Sequence, residues 1–218
     1  KEVIQRAIDQ NVTKMLLPPI ESKSYPAIRK LCETFPDNCF PMTGLHPCSV
    51  DDNFEKELEL VYTNLKNKTM NWVAVGEIGT DLYWDKTFIN QQKEALAQQI
   101  EWAKEFQLPI VIHVRDSFDE TFEVIDKLND NKLTGVFHCF TGTNEQADHI
   151  ISYGGFKLGV GGVVTFKNSG VDKVIKQIDL EHLILETDSP YLTPVPYRGQ
   201  RNESSYVNLV AKKLSEIY

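Results

Sequence analysis

Short apolar runs alternate with longer amphipathic segments along the whole chain. The runs at 12–17, 39–45, 72–77, 108–113, 136–140, 156–160 and 183–186 have the length and content of buried strands. Between them, apolar residues recur at helical spacing. Leu58, Val61, Tyr62 and Leu65 share one face of a helix predicted over 54–65. Leu96, Ile100, Trp102 and Ala103 supply the apolar face of the longest one, over 90–106. Further helices are predicted over 2–10, 24–35, 118–128, 145–153, 171–178 and 204–218. Alternating strands and helices imply a mostly parallel sheet. The expected fold is α/β, a (β/α)8 TIM barrel in one domain spanning 1–218. A barrel of this kind needs eight strands, and the pattern offers seven and opens on a helix. The first strand is therefore expected ahead of Lys1.

Four of the runs break into a metal-competent side chain. The run at 72–77 ends in Glu77, that at 108–113 in His113, and that at 133–138 in His138; the last breaks just before Asp188. Their spacings of 36, 25 and 50 positions fit a repeat of about 31 with one unit skipped. The C-terminal ends of barrel strands are where such folds keep their chemistry. Two histidines and two carboxylates with no thiolate suit zinc, magnesium, manganese or cobalt. Bound ions of this kind lower the pKa of water toward about 7, and Asp188 is the natural acceptor of its proton.

Each residue also has a plainer reading. Glu77 is alternatively a buried partner of Arg115, and Asp188 a turn aspartate before Pro190. Asp81 is expected to orient a ligand, or else to serve a helix start or the surface. His113 and Arg115 alternate on one strand, as do His138 and Phe140. Cys139 is expected to face away from the site, packed under a helix. His46, in Gly44-Leu45-His46-Pro47, is a candidate substrate contact or a turn-stabilising residue. Arg198 and Arg201 lie three apart on a loop rich in Pro, Gly and Arg. They are candidate phosphate clamps or ordinary solvated cations.

Composition narrows the class. The 218 residues carry 41% hydrophobic and 25% charged residues, ordinary values for a globular domain. No apolar run reaches the ~18 residues a membrane span requires. Cys32, Cys39, Cys48 and Cys139 form no close pair and read as reduced thiols of a cytoplasmic protein. A net charge of −8 argues against a dedicated nucleic-acid binder, which is usually strongly basic. It permits an enzyme that meets phosphate at bound cations.

The segments Gly44-Leu45-His46-Pro47, Gly76-Glu77-Ile78-Gly79, His113-Val114-Arg115, Phe137-His138-Cys139-Phe140-Thr141-Gly142, Glu186-Thr187-Asp188-Ser189-Pro190 and Arg198-Gly199-Gln200-Arg201-Asn202-Glu203 stand in this order. Together they resemble the TatD-related metal-dependent deoxyribonucleases of the amidohydrolase-like TIM barrels. The resemblance covers the chain and implies a two-metal centre held by Glu77, His113, His138 and Asp188. It implies hydrolysis of phosphodiester bonds in DNA, of the 3′–5′ exonuclease type. The alternative is ester hydrolysis on D-aminoacyl-tRNA, with a non-catalytic scaffold as a third reading. The substrate, DNA or tRNA-derived, is expected to bind transiently. Departures are Thr80, where leucine is commoner, and the absence of a first strand with its His-x-His pair. Both ends of the chain are expected to be trimmed relative to the family.

Overall fold

A computed structural model describes residues 1–218. Its helices and strands follow in the order α1 (Glu2–Asp9), β1 (Met15–Leu17), α2 (Tyr25–Thr34), β2 (Cys39–Pro41), α3 (Phe54–Lys66), β3 (Val75–Asp81) and α4 (Ile89–Phe106). They continue with β4 (Ile110–Arg115), α5 (Phe118–Leu128), β5 (Gly135–Phe137), α6 (Asn144–Ser152), β6 (Phe156–Val160), α7 (Val171–Ile175), β7 (Leu183–Leu185) and α8 (Val207–Ile217). Seven strands and eight α-helices are the elements the apolar pattern predicts. No helix is long and apolar enough to cross a membrane. The chain divides into two compact units, Leu16–Val136 and the combination of Lys1–Met15 with Phe137–Tyr218.

In the Leu16–Val136 unit, the Met42 N–H donates to Leu17 O at 3.0 Å where β1 and β2 meet. A parallel bridge joins Thr43 to Val75. β3 and β4 then pair in parallel, Val75 opposite Ile110 and Gly76 opposite Val111. The register shifts at this point, so that Ile78 faces Ile112 and Gly79 faces His113. Glu77 is left without an opposite number. Such a bulge re-aims a side chain that a regular strand would direct elsewhere. Behind this sheet, Leu96, Ile100 and Ala103 of α4 and Val75, Ile78, Ile110 and Ile112 of the strands are fully buried. Each buried Val, Leu or Ile side chain contributes roughly 1.5–3 kcal/mol.

Strand boundaries differ from the sequence expectation in both directions. β3 runs on to Asp81 and β4 to Arg115, past the first charged residue of each. The backbone ladder is indifferent to side-chain polarity, and Thr80 is still fully buried. Its Oγ1 lies 2.7 Å from Ser117 Oγ and 2.6 Å from Thr121 Oγ1, and the Ser117 hydroxyl donates to the Thr80 carbonyl at 2.9 Å. This hydroxyl cluster ties the end of β3 to the start of α5. Leucine at position 80 offers no such tie. β2 stops at Pro41, short of 45, and the next residue bonds back to β1. 

In the other unit, β6 and β7 pair in parallel, Leu158 with Leu183 and Val160 with Leu185. α6 begins with a capping box, the Thr143 side chain and that of Gln146 each accepting the other's backbone N–H. α1 is fastened by Arg6, whose guanidinium donates to both oxygens of Glu203 at 2.8 and 2.6 Å. α7 ends at Ile175 rather than 178, and a 3-10 turn at Ser204–Tyr206 precedes α8.

Candidate metal centre

Three of the sequence-selected residues meet in the Leu16–Val136 unit. His46 Nε2 lies 3.6 Å from Glu77 Oε2, and its ring sits 4.5 Å from that of His113. Glu77 and His113 offer ligand atoms within 4.8 Å of each other. His113 Nε2 is 2.9 Å from Asp81 Oδ2. Asp81 is buried, and burial alone pushes its carboxyl up. The hydrogen bonds from His113 and the Tyr83 N–H outweigh that and hold it at about 2. An ionised carboxylate only accepts, so His113 Nε2 carries the proton of this bond and the imidazole is oriented by it. A carboxylate behind a ligating histidine is the usual way to fix its tautomer and raise its basicity. Asp81 is thus neither a helix cap nor a surface residue.

Close approach of the two strands depends on Gly79. It has φ +147, and a Cβ there would lie 1.9 Å from the His113 carbonyl oxygen. Any side chain would push His113 away from Asp81 and Glu77.

Two buried glutamines of α4 hold the loops that present these groups. The Asp81 N–H donates to Gln92 Oε1 at 2.8 Å, and Gln92 Nε2 returns a bond to Asp81 O at 3.3 Å. The Leu45 N–H donates to Gln99 Oε1 at 2.7 Å, fixing the residue before His46. His46 Nδ1 also accepts the Cys48 N–H at 3.1 Å. His46 therefore stabilises its turn, and its ring faces Glu77. Cys48 joins His46 and His113 as a third group with ligand atoms within 4.8 Å.

The other unit holds His138, Glu186 and Asp188. His138 is buried, with Nδ1 3.8 Å from Glu186 Oε1. Glu186 also accepts the Cys139 N–H at 2.6 Å. Room for this arrangement comes from Gly159, where a Cβ would lie 2.3 Å from Glu186 Oε2. Asp188 has φ +55, a conformation that aspartate tolerates better than most residues. Asn202 brackets it: buried, its Nδ2 donates to the carbonyls of Thr187 and Tyr191 at 2.6 Å each.

Several expectations need correction. β5 ends at Phe137 and β7 at Leu185, so His138, Phe140 and Asp188 sit in the turns that follow. The alternation invoked for His138 and Phe140 does not apply there. Cys139, with φ +47 and its N–H bound to Glu186, is half-buried in that turn and is not packed under a helix as a strand residue. Arg115 stacks its guanidinium on the Tyr83 ring, 3.5 Å from the centroid. Arg198 lies on the Phe166 ring at 3.6 Å, and both Arg198 and Arg201 are exposed. Sequence reading missed Gln92, Gln99, Asn202 and Cys48. The first two left a signal: with Leu96, Ile100 and Ala103 they fall on one helical face, as polar residues at core positions.

The profile described as TatD related DNase matches residues 1–218. The chain belongs to the TatD family. The uncharacterized metal-dependent hydrolase YabD of Bacillus subtilis is 36% identical over 218 residues, covering 100% of this chain and 84% of that protein. YjjV of Escherichia coli, also described as an uncharacterized metal-dependent hydrolase, is 32% identical over 98% of this chain and 82% of its own length. The crystal structure of YjjV, a TatD homologue, superposes with a TM-score of 0.92 at 30% identity, covering 99% of this chain and 83% of that one. An amidohydrolase from Saccharomyces cerevisiae shares the fold at 18% identity and a TM-score of 0.85. This TatD-family protein is accordingly a metal-dependent hydrolase with an α/β fold of the TIM-barrel type.

Proposed function

We propose that this TatD-family hydrolase is a deoxyribonuclease of the 3′–5′ exonuclease type. In this reading Glu77, His113, His138 and Asp188 hold a pair of divalent cations. The observation that supports it is the bond between His113 Nε2 and buried Asp81, which orients an imidazole whose ligand atom lies within 4.8 Å of that of Glu77. The donor set fits: imidazole and carboxylate suit zinc, manganese, cobalt or magnesium. A divalent cation there supplies a water of lowered pKa and neutralises charge developing on a phosphate oxygen. Asp188, held in its turn by Asn202, accepts the attacking water's proton. His46 and Arg115 contact the substrate near Glu77 and His113, and Arg198 and Arg201 grip phosphates further along the strand. The description of the matching family as a DNase supports the substrate class. Four cysteines that form no disulfide suit a reducing compartment, the cytoplasm.

The test is direct. Purified protein is freed of metal and supplied in turn with manganese, magnesium, zinc or cobalt. It is then given end-labelled single-stranded DNA and, in parallel, a D-aminoacyl-tRNA. Metal-dependent shortening from the 3′ end, in single-nucleotide steps, is expected. Release of the D-amino acid with the DNA left intact overturns the nuclease reading in favour of ester hydrolysis at the same centre.

A further inference from the structure

Beyond the end of β3 the chain turns sharply, because Asp81 Oδ1 accepts the N–H groups of Tyr83 at 2.9 Å and Trp84 at 3.4 Å. The turn delivers two large rings to solvent. Trp84 is 73% exposed and Tyr83 50%. The rings pack edge to face, 4.8 Å apart at 90°. Arg115, opposite Asp81 in the ladder, lies over the Tyr83 ring at 3.5 Å and within 5.6 Å of the Trp84 centroid. The other tryptophans are placed differently. Trp72 is buried and Trp102 packs on Tyr62.

Core packing does not account for this cluster. Its members are exposed, yet the backbone of Tyr83 and Trp84 is held by the carboxylate that also holds His113. Arg115 is two residues beyond His113 on the same strand, about 7 Å. The rings therefore stand within a nucleotide's reach of the candidate cation ligands. Net charge sharpens the point. A chain at −8 gains little from long-range attraction to a polyanion. Stacking a base on an aromatic ring is indifferent to net charge and to sequence. A guanidinium beside the rings adds a local cation for the neighbouring phosphate.

We propose that Trp84, with Tyr83 and Arg115, is the stacking platform for a nucleobase of the bound single strand. This rests on the nucleic-acid reading above and identifies how the strand is gripped beside the metal centre. The measurement is fluorescence anisotropy of a labelled, hydrolysis-resistant phosphorothioate oligodeoxyadenylate on the metal-loaded protein, so that binding is read without cleavage. A strand of the same length with abasic sites serves as the second probe. Trp84→Ala is expected to raise Kd for the normal strand at least about fivefold, the low end for one stacked base. Trp84→Phe, which keeps a ring, stays within about twofold of the wild type, and the abasic strand binds Trp84→Ala and wild type alike. Trp84 is so exposed that neither change disturbs the fold, which circular dichroism checks. Equal binding of the normal strand by wild type and Trp84→Ala overturns the platform while leaving the nuclease reading intact. An equal loss on the abasic strand overturns it too, as does a change confined to oligomeric state. A wild-type protein that binds neither strand sinks the nucleic-acid reading, and the platform with it.

Discussion

Replacing Asp81 with asparagine keeps the side chain's shape and removes its charge. In the folded protein the carboxyl is held at about 2, against an ordinary 3.8. Nearly two pKa units, at 1.36 kcal/mol each, amount to about 2 kcal/mol of stability carried by the ionised form. The sign follows from the direction of the shift. A depressed carboxyl stabilises the fold above its unfolded pKa, and that contribution disappears as the pH falls toward 2. Urea unfolding of metal-free Asp81→Asn is therefore expected to show a deficit of about 2 kcal/mol at pH 7 that narrows steadily below about pH 5. The same substitution loosens His113. Asparagine still accepts from Nε2, but it no longer polarises the ring. Loss of such a partner typically weakens metal binding by about 10- to 100-fold. Calorimetric titration with zinc or manganese measures that directly. If Asp81→Asn binds metal within twofold of wild type, Asp81 does not orient a ligand. A stability deficit that fails to narrow in acid would show that the loss is one of packing and not of charge.

Gln99→Leu strands the Leu45 N–H inside the protein and should cost roughly 1–3 kcal/mol. That corresponds to a Tm fall of about 2–4 °C per kcal/mol, read by scanning calorimetry, and an unchanged Tm would mean that water replaces the lost acceptor. The Glu203 carboxyl is held below its usual range by the hydrogen bond from Arg6. Its contribution is present above that range and fades as pH falls through it, so the stability gap between wild type and Glu203→Gln should be seen at neutral pH and close in acid. Asp188→Asn should lower kcat by at least about 10²-fold while cations remain bound, whereas Glu77→Gln should lose metal as well, as elemental analysis reports. Normal kcat in metal-loaded Asp188→Asn would remove it as the proton acceptor. Arg201→Ala should raise KM for a single strand and flatten its salt dependence by about one phosphate contact. Matching slopes would return Arg201 to the solvated surface.

The sequence alone determined the succession of elements. Helical faces such as that of Leu96, Ile100 and Ala103, and strands such as that around Leu158, follow from apolar spacing, a local property of the chain. The same holds for the residue types capable of holding a cation: Glu77, His113, His138 and Asp188 stand out because each interrupts or follows an apolar run. Where strands end was not local. Thr80 and Asp81 stay in β3 because Ser117, Thr121, Gln92 and His113, distant in the chain, satisfy their polar groups. Helical spacing puts positions 92 and 99 on the apolar face of α4, but it does not say what their amides bond to. Only the tertiary structure supplies the backbone N–H groups of Asp81 and Leu45 that make burial of Gln92 and Gln99 favourable. Likewise the bulge at Glu77 and the positive φ of Asp188 follow from register and turn closure, which no side-chain pattern encodes. Residue identity states what chemistry is available. Which carboxylate stands behind His113 was decided by the pairing of β3 with β4.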